Sequence, residues 1–549
     1  MEVSPAQQES VSLPDAPGID GVADEVLGQE DKHFKRRLGW ISLAMATFTA
    51  MIGSGWLFAA YYAAAAAGPV ALGSWVIAAV FTLMVGMMAV ELAVTRPIAG
   101  GQTRWPSMIS GPYIGITMSC LGLLGIAFSV PSGAAGLVQY ASSWFPQFMS
   151  DGNLSGVGLM AALLLLVVFT AVNWFGVTVM SRITNAITIF KIAVPVLTIV
   201  LLFASGFTPS NTQTGGGITP FGTGAMLTAV IGAGLLYSFG GVTSATLFAA
   251  ETKNPRRNIP LGTFTGFGLA VIVYLGLQSA FLWTVPQDAL AKSGWQGLDF
   301  DSPFAQLAVL LNLGWLAQLL LLDAVVSPGG TMLFGVGSSA RITFGAAQSG
   351  LLPKWAGKVN VRTGIPTAAL LLNLVMGGVF LLMFQSWQSL VAALGFFFAL
   401  TYAITAVVAG ASSKDPRLKT RRWSPLTPVV APVAFVLSSQ VLYWSSWSQI
   451  WPAAVLFVLT VPVAVMVMLR DRKIFTPIVL LNGLWMLIFV LFIVAVSAVG
   501  SFGGAGILPS PLDSIIVAVG SVAFYVWGQR SSIAWMKSDA SVAAAGIYY

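Results

Sequence analysis

The stretch Ala50-Met-Ile-Gly-Ser-Gly-Trp-Leu-Phe58 lies in the middle of the first long apolar run of the chain, which extends from Leu38 to Ala67. Its two glycines flank a serine, and glycine lets the backbone leave the helical conformation at little steric cost. A helix that breaks inside a membrane exposes amide and carbonyl groups, which are tolerated where they line a cavity. The stretch therefore predicts a broken helix at a binding site. The alternative is a packing site, since small residues also let helices approach closely.

The composition around this stretch is that of a membrane protein. Hydrophobic residues make up 56% of the 549 residues and charged residues 8%, with a mean hydropathy of +0.84. These values predict an all-α polytopic membrane protein in a lipid bilayer. Fourteen apolar runs are long enough to span; they comprise residues 39–66, 71–94, 113–143, 156–177, 183–206, 221–250, 261–284, 305–340, 366–385, 389–411, 427–448, 450–469, 475–499 and 512–528.

The basic residues predict the orientation. If the N-terminus is cytoplasmic, all 26 Lys and Arg residues fall on the cytoplasmic side except Lys191, within a run, and Lys292. Because cytoplasmic loops of membrane proteins are rich in Lys and Arg, this bias predicts a multi-pass protein of the cell inner (plasma) membrane with both termini cytoplasmic. The net charge of +7 then reflects topology and not a nucleic-acid partner.

The sequence predicts a cytoplasmic tail at each end of the chain. The first 31 residues hold eight acidic residues and no Lys or Arg, so residues 1–37 are predicted to form a disordered acidic cytoplasmic tail. Residues 531–549 are predicted to form a cytoplasmic C-terminal tail. The oligomeric state is left open by the sequence.

Few residues could hold a metal or perform covalent chemistry. Cys120 is the one cysteine and His33 the one histidine, so neither a disulfide framework nor a thiolate or histidine metal site can be built. The sequence also has no phosphate-binding loop and no Ser/His pair, so no cofactor and no enzyme activity are predicted. Any proton coupling must use carboxylates or lysine.

The sixth run repeats the opening pattern. In Leu236-Tyr-Ser-Phe-Gly-Gly-Val-Thr-Ser-Ala245, two glycines again lie at mid-span. Breaks in the first and sixth spans indicate a repeat unit of five, and an odd number of crossings inserts the second copy upside down. Transporters with such inverted repeats hold substrate at the repeat interface. The predicted units are repeat 1 at 38–206, repeat 2 at 220–411 and four accessory spans at 425–530.

Several motifs resemble the amino acid/polyamine/organocation superfamily. They are Gly53-Ser-Gly55, the segment Glu251-Thr-Lys-Asn-Pro-Arg-Arg-Asn-Ile-Pro260, and Ser339-Ala-Arg-Ile-Thr-Phe344 with Gly350-Leu-Leu-Pro353. Gly53 to Phe58, Gly314-Trp-Leu316, Leu322 to Gly330, Val441 to Trp447 and Gly500 to Gly504 further resemble the bacterial aspartate-proton symporter branch. The resemblance implies a LeuT-type five-plus-five inverted repeat with broken helices 1 and 6 and four extra C-terminal spans.

Backbone groups at the two breaks suit the two ends of an amino acid. Amides at half-helix N-termini favour a carboxylate, and carbonyls at half-helix C-termini favour an ammonium. The amide donors are predicted at Ser54, Gly55, Gly240 and Gly241, and the carbonyl acceptors at Met51, Ile52, Tyr237 and Phe239. Main-chain contacts of this kind do not name the substrate's side chain.

Three residues are predicted to couple protons to transport. An ammonium inside a span costs about 2.5 to 3.5 kcal/mol on insertion scales unless it is paired or neutralised, and Lys191 resembles a span 5 lysine that replaces sodium in sodium-independent relatives. Asp323 has three alternative roles, in order of preference. It pairs with Lys191, it takes the proton itself, or it faces the pocket and prefers cationic substrates. Ser327, one turn away, is placed for a polar contact near the lysine; a bond to its own helix is the alternative.

Glu91, Glu251 and Arg341 are predicted to act as gate or structural partners. For Glu91 and Glu251, the candidate partners are Arg96, Arg341 and Lys253. The leading prediction for the whole chain is proton-coupled import of a small amino acid, with L-aspartate first by resemblance. One alternative is a cationic amino acid or amine carrier or exchanger; another, of a different class, is a non-transporting nutrient sensor.

Overall fold

The computed structural model describes residues 36–98, 101–174, 177–348, 355, 358, 367–418, 422–470 and 477–538. Almost all of the predicted N-terminal tail and most of the predicted C-terminal tail lie outside these residues. The last helix continues to Met536, beyond the boundary predicted at residue 530.

The described part of the chain is built from helices, joined in one place by a short two-stranded sheet of Met149–Ser150 and Asn153–Leu154. In the first half the helices are α1 (Trp40–Met51), α2 (Gly55–Ala67), α3 (Ala71–Thr95), α4 (Gly101–Ser110), α5 (Pro112–Ala141), α6 (Gly156–Trp174), α7 (Val177–Ser205), α8 (Thr223–Gly232), α9 (Leu235–Ser238), α10 (Ser244–Leu247) and α11 (Pro255–Thr284). In the second half they are α12 (Gln287–Ser293), α13 (Pro303–Leu310), α14 (Gly314–Gln348), α15 (Thr367–Met383), α16 (Trp387–Ser412), α17 (Thr427–Trp444), α18 (Trp447–Val458), α19 (Thr460–Arg470), α20 (Pro477–Val499) and α21 (Leu512–Met536).

Helices occupy all fourteen predicted apolar runs, but they do not all qualify as crossings. Among the described residues, ten helices are long and apolar enough to cross a membrane, or eleven if one bent pair counts as a single span. Helices α1 and α15 and the part of α7 from Phe190 are shorter apolar helices. The chain is therefore a multi-pass helical membrane protein, and the total of fourteen crossings and the inverted repeat stay predictions.

The first predicted break is present. Helix α1 ends at Met51 and α2 begins at Gly55, with Ile52 at a non-helical ψ of 85° and a bend at residues 53–54. Every residue from Met51 to Ala60 is buried. The break therefore lies in the interior of the protein and not on its lipid-facing surface.

The second break differs in position from the prediction. The sharpest bend in the sixth run, 48° between α8 and the helical pieces that follow, lies at Ala233–Gly234 and not at Gly240–Gly241. Gly234 adopts a left-handed φ of 77°, which glycine alone tolerates freely. The segment Gly240–Thr243 continues as a 3₁₀ helix. The sixth run is therefore bent at Gly234 and changes from α-helix to the narrower 3₁₀ helix at Gly240.

The two broken segments touch each other through glycine. A Cβ on Gly241 would lie 2.6 Å from the carbonyl carbon of Ala50 and 2.8 Å from the nitrogen of Met51. A Cβ on Gly55 would lie 2.4 Å from Ser238 Oγ. Glycine is thus required sterically at position 241, where the close atoms belong to the backbone, while a side chain at position 55 would require Ser238 to shift.

The segment before α1 is tied to the end of the sixth run. The amides of Arg37 and Leu38 donate to the Glu251 carbonyl at 2.9 and 3.1 Å, and the amide of Lys253 donates to the Leu38 carbonyl at 2.9 Å. These bonds form a small parallel bridge between Leu38 and Thr252.

The C-terminal helices pack on the rest of the bundle at α16 and also at α3, α4, α5 and α8. Helix α17 contacts α16 and α21, and α20 contacts α21. At one end of this group, the Asp513 carboxylate accepts hydrogen bonds from the Tyr443 hydroxyl at 2.5 Å and the Ser501 amide at 3.1 Å. This shared acceptor fixes α17, α21 and the loop between α20 and α21 to one another.

Candidate functional site

Hydroxyl groups from the break itself, α9 and α5 come together at the first break with an indole from α16. The Ser54 and Tyr237 hydroxyls are 3.0 Å apart, and the Trp387 indole donates to Ser54 Oγ at 2.9 Å. Ser132, on α5, lies 3.4 Å from the Tyr237 hydroxyl. The structure thus brings together two predicted residues, Ser54 and Tyr237, with two that were not predicted, Ser132 and Trp387.

Tyr274 joins the two broken helices directly. Its hydroxyl has one hydrogen and lies 2.7 Å from the Met51 carbonyl, the nearer acceptor, and 3.2 Å from the Ser238 carbonyl. The Met51 carbonyl also accepts from the Gly53 amide at 2.9 Å. In this conformation Met51, a predicted acceptor for a substrate ammonium, already has two donors.

The other predicted backbone positions fall into two groups. Ser54 and Gly55 stand at the N-terminal end of α2, where the first amides of a helix lack helical acceptors. Ile52 is fully buried, and Phe239 packs against the rings of Trp75 and Tyr274 with centroids 5.5 and 5.3 Å away. Phe239 therefore belongs to an aromatic cluster behind the break.

Gly240 and Gly241 lie on the 3₁₀ segment of the sixth run. A Cβ on Gly240 would lie 2.4 Å from the Phe398 ring, and Gly241 packs on α1 as described above. Both glycines lie so close to neighbouring elements that a side chain would clash, so they allow these elements to pack closely.

Lys191 reaches the break from α7. It is 3% exposed, and its Nζ donates to Thr331 Oγ1 at 2.6 Å and lies 3.4 Å from the carbonyl of Thr49, in the last turn of α1. Gly53 adjoins the same place, since a Cβ there would lie 3.7 Å from the Thr331 side chain. A buried cation is thus held directly against the first break.

Asp323, Ser327 and Thr331 are spaced four residues apart and share one face of α14. Ser327 Oγ donates to Asp323 Oδ1 at 2.8 Å, and Thr331 Oγ1 donates to the Ser327 carbonyl at 3.1 Å. Among the described residues, Lys191 makes no ion pair with Asp323, although the two side chains interact electrostatically. Direct pairing, the first alternative for Asp323, is thus replaced by an indirect connection through Thr331 and Ser327.

One oxygen of Asp323 has no hydrogen-bond partner among the described residues. The residue is fully buried, and its Oδ2 makes no hydrogen bond. A buried carboxylate oxygen without a donor is costly, more so than a neutral polar atom in the same place. The site therefore contains a buried carboxyl oxygen that makes no hydrogen bond within the described part of the structure.

Comparison with known proteins places this arrangement in a family. A sequence model of the family described as amino acid permease matches residues 38–506. The chain belongs to the amino acid permease family. Within this family, the chain is 34% identical over 508 residues to the glutamate/serine transporter AimA of Bacillus subtilis. The aligned region covers 90% of this chain and 94% of that protein.

Other relatives and a solved structure agree with the assignment. The permease is 30% identical to the aspartate-proton symporter of Bacillus subtilis, over 91% of this chain and 97% of that protein. It is 28% identical to the cadaverine/lysine antiporter of Escherichia coli, over 57% of this chain and 67% of that protein. A crystal structure of the Eremococcus coleocola manganese transporter, 14% identical, matches with a TM-score of 0.50 over 85% of this chain and 98% of that chain. The last match shows the fold alone, that of LeuT-type transporters.

These relatives confirm two predictions. The family resemblance predicted from the motifs is correct, and the relatives are transporters and not enzymes. They favour transport over the nutrient-sensor alternative.

Glu91 binds a loop of the permease and not Arg96. Its Oε2 accepts from the amides of Trp423 and Ser424 at 3.1 and 2.9 Å, while Arg96 pairs with Asp415 at 3.5 Å. The loop after α16 is therefore held against the end of α3 by two separate contacts. Of the other two predicted gate residues, Glu251 contributes its carbonyl to the bridge before α1, and the side chain of Arg341 lies outside the described part of the structure.

Glu91→Ala is expected to destabilise the permease by about 1 to 3 kcal/mol, because it leaves the buried Ser424 amide and the partly buried Trp423 amide without their acceptor. Glu91→Gln keeps an amide oxygen as acceptor and should lose less. Thermal unfolding of the purified protein in detergent measures both. Equal unfolding temperatures for wild type and Glu91→Ala would contradict this role.

The segment 285–302 lies between α11 and α13 and includes Lys292, which the charge distribution predicts to lie on the side opposite the cytoplasm. It packs on one end of the bundle. The Tyr61 hydroxyl donates to the Leu298 carbonyl at 2.8 Å and accepts from the Phe300 amide at 3.4 Å. Beneath it, the Tyr62 ring stacks on Trp387 with centroids 5.6 Å apart. Since Trp387 also donates to Ser54, aromatic side chains connect this segment to the break through a series of contacts. We call residues 285–302 the lid.

Proposed function

We propose that the chain is a proton-coupled secondary transporter that imports a small amino acid by alternating access, with L-aspartate as the first candidate. It acts in the inner (plasma) membrane with both termini in the cytoplasm. The observation that carries the proposal is the position of Lys191, a buried cation bound to Thr331 and lying against the Thr49 carbonyl at the first break.

A lysine in this place links charge to conformation. The carbonyl of Thr49 belongs to the last turn of α1, so movement of α1 changes the surroundings of the ammonium. An amine that gains or loses a proton as its surroundings change is able to couple proton movement to alternating access. Asp323 and Ser327 extend this polar chain along α14 and complete the proposed coupling group.

The substrate assignment rests on the site and the relatives together. The amides at Ser54 and Gly55 suit the α-carboxylate of an amino acid. Two relatives are named as transporters of amino acids with acidic side chains, the aspartate-proton symporter and the glutamate/serine transporter. The Ser54, Ser132 and Tyr237 hydroxyls add neutral donors that suit a side-chain carboxylate or hydroxyl.

Uptake by proteoliposomes that contain the full chain, in sodium-free buffer, tests this function. Labelled L-aspartate is expected to accumulate above the outside concentration only with an inward proton gradient, and excess unlabelled L-glutamate or L-serine measures competition. Liposomes without protein are the control. If no gradient drives aspartate uptake, the substrate assignment is wrong.

The second candidate is a carrier or exchanger of cationic amino acids or amines. The observation in its favour is the unpartnered Oδ2 of Asp323, and one relative is a cadaverine/lysine antiporter. In that case labelled L-lysine would be taken up or exchanged, and Asp323→Asn would abolish the uptake. Uptake of aspartate with no lysine uptake would exclude this candidate.

A further inference from the structure

Helices α1 and α11 begin side by side at the same end of the molecule. A Cβ on Gly262 would lie 3.2 Å from the nitrogen of Ala44, and a Cβ on Gly266 would lie 3.1 Å from the nitrogen of Phe48. Because four residues along α11 match four residues along α1, the two helices run parallel. The bridge between the segments that precede α1 and α11 holds them together at this end as well.

Exposed basic side chains are concentrated where these two helices begin. We call them the basic surface; they are Arg36, Arg37, Lys253, Arg256 and Arg257. Within the described part of the chain none of them makes an ion pair, and the Arg256 guanidinium donates at 3.3 Å to an uncharged group, the Arg422 carbonyl. The first turn of α11 holds no acidic residue. Glu251, in the bridge, is not ion-paired with any described residue either. Five positive charges thus lie together with little to balance them.

The chain carries the matching negative charge directly before this surface. Residues 1–31 contain eight acidic residues and no Lys or Arg. Glu25 precedes Arg36 by eleven residues, and an extended chain of that length spans at most about 40 Å. Packed helices lie about 8 to 10 Å apart, so the start of α11 is well within reach of these carboxylates.

We propose that the acidic segment 1–31 docks on the basic surface, with its carboxylates paired to the arginines and the lysine at the starts of α1 and α11. Docking needs neither a substrate nor a proton gradient, so it goes beyond the proposed function and is tested apart from it.

The attachment of the segment to Arg36 favours it over a free partner. Ion pairs between exposed side chains contribute little individually. A segment joined to its binding surface by a short connection, however, has an effective concentration in the millimolar range. Anionic lipid headgroups are the competing occupant, because basic residues near the cytoplasmic surface of a membrane attract them.

Carbodiimide cross-linking detects this contact in the wild-type chain, since it joins a carboxylate to a lysine amine without a spacer. The full chain is placed in nanodiscs of neutral lipid, one copy in each, and cross-linked peptides are identified by mass spectrometry. Lys253 is the lysine of the basic surface, and the exposed Lys537 at the end of α21 is the control. Peptides from residues 1–31 are expected to be joined to Lys253 in much higher yield than to Lys537.

Salt tests whether charge holds the segment in place. The Debye length falls from about 10 Å at 0.1 M to about 3 Å at 1 M ionic strength, so the yield at Lys253 should fall over this range. Nanodiscs that contain anionic lipid should also give a lower yield than neutral ones, because the headgroups compete for the same side chains.

The double variant Arg36→Gln, Arg257→Gln removes two charges of the surface and keeps Lys253 as the reporter. Neither arginine side chain makes a hydrogen bond to another described residue, so the fold should be unaffected. Loss of two exposed ion pairs should lower the ratio of docked to undocked segment by about 2- to 30-fold. Arg530→Gln, which removes an exposed arginine of α21, should change nothing.

Three results would overturn docking of the segment. They are equal yields at Lys253 and Lys537 in neutral lipid, a yield at Lys253 that is insensitive to salt, and an unchanged yield in the double variant. Absence of the cross-link together with protection of Lys253 from an amine reagent by anionic lipid would assign the surface to lipid headgroups. Since cross-linking requires no uptake, failure of the substrate assignment is a separate outcome.

Discussion

Lys191→Met is expected to reduce gradient-driven accumulation of substrate to the equilibrium level. Methionine keeps the unbranched apolar stem of lysine and removes the ammonium that contacts Thr331 and the Thr49 carbonyl. Thr331 still donates to the Ser327 carbonyl in the variant, so the substitution creates no new unpartnered donor at that residue. The protein should therefore fold and lose coupling, which the accumulation ratio in proteoliposomes measures.

The exposed Lys292 provides the matched control. Lys292→Met removes a lysine from the surface of the lid and should leave accumulation unchanged. Exchange of internal for external substrate without a gradient shows whether the Lys191 variant still binds and moves substrate. Full accumulation by Lys191→Met would show that the ammonium is not needed for coupling, and Asp323 would then be the residue to test.

Gly241→Ala is expected to abolish transport by separating the two broken helices. The new Cβ would lie 2.6 Å from the carbonyl carbon of Ala50. Because this atom belongs to the backbone, no side-chain rotation relieves the contact and the helices must move apart. Overpacking in a well-packed core costs about 1 to 3 kcal/mol, so the unfolding temperature should fall together with uptake.

Gly268→Ala is the matched control on α11. No atom lies within 4 Å of the position of a Cβ there, apart from the helix's own backbone and chain neighbours. Alanine also favours the helix over glycine by about 1 kcal/mol, so stability and uptake should be maintained or improved. Normal uptake by Gly241→Ala would mean that the two segments are not packed this closely during transport.

Local sequence was sufficient to predict the first break and insufficient to locate the second. At Gly53 and Gly55, two glycines in an apolar run are a direct signal of a break. In the sixth run the same signal at Gly240 and Gly241 coincides with an interruption of the α-helix by a 3₁₀ segment, and not with the sharp bend. Both glycines also pack closely on neighbouring elements. The sharp bend uses Gly234, where a Cβ would lie 3.0 Å from Trp387 and from Val391. That environment is formed by a helix far along the chain and is invisible to local pattern.

The candidate site shows the same division. The contact between Asp323 and Ser327 follows from a spacing of four residues on a helix and was open to prediction. The partners of Lys191 and Ser54, namely Thr331 and Trp387, lie 140 and 333 residues away. Threonine and tryptophan residues are common in spans, and the local sequence does not show which of them will bind Lys191 or Ser54. The partners of Glu91 are backbone amides, which every residue except proline has, so their choice depends on the fold.

The bridge before α1 has a mechanical consequence. Three backbone hydrogen bonds join Arg37 and Leu38 to Glu251 and Lys253. The start of α1 and the end of the sixth run are therefore expected to move together. A tilt of α1 draws the end of the sixth run with it. Since side-chain substitution leaves backbone amides and carbonyls in place, replacing Glu251 itself should leave this linkage intact. Proline at position 37, 38 or 253, which lacks the amide hydrogen, would remove one of its three bonds.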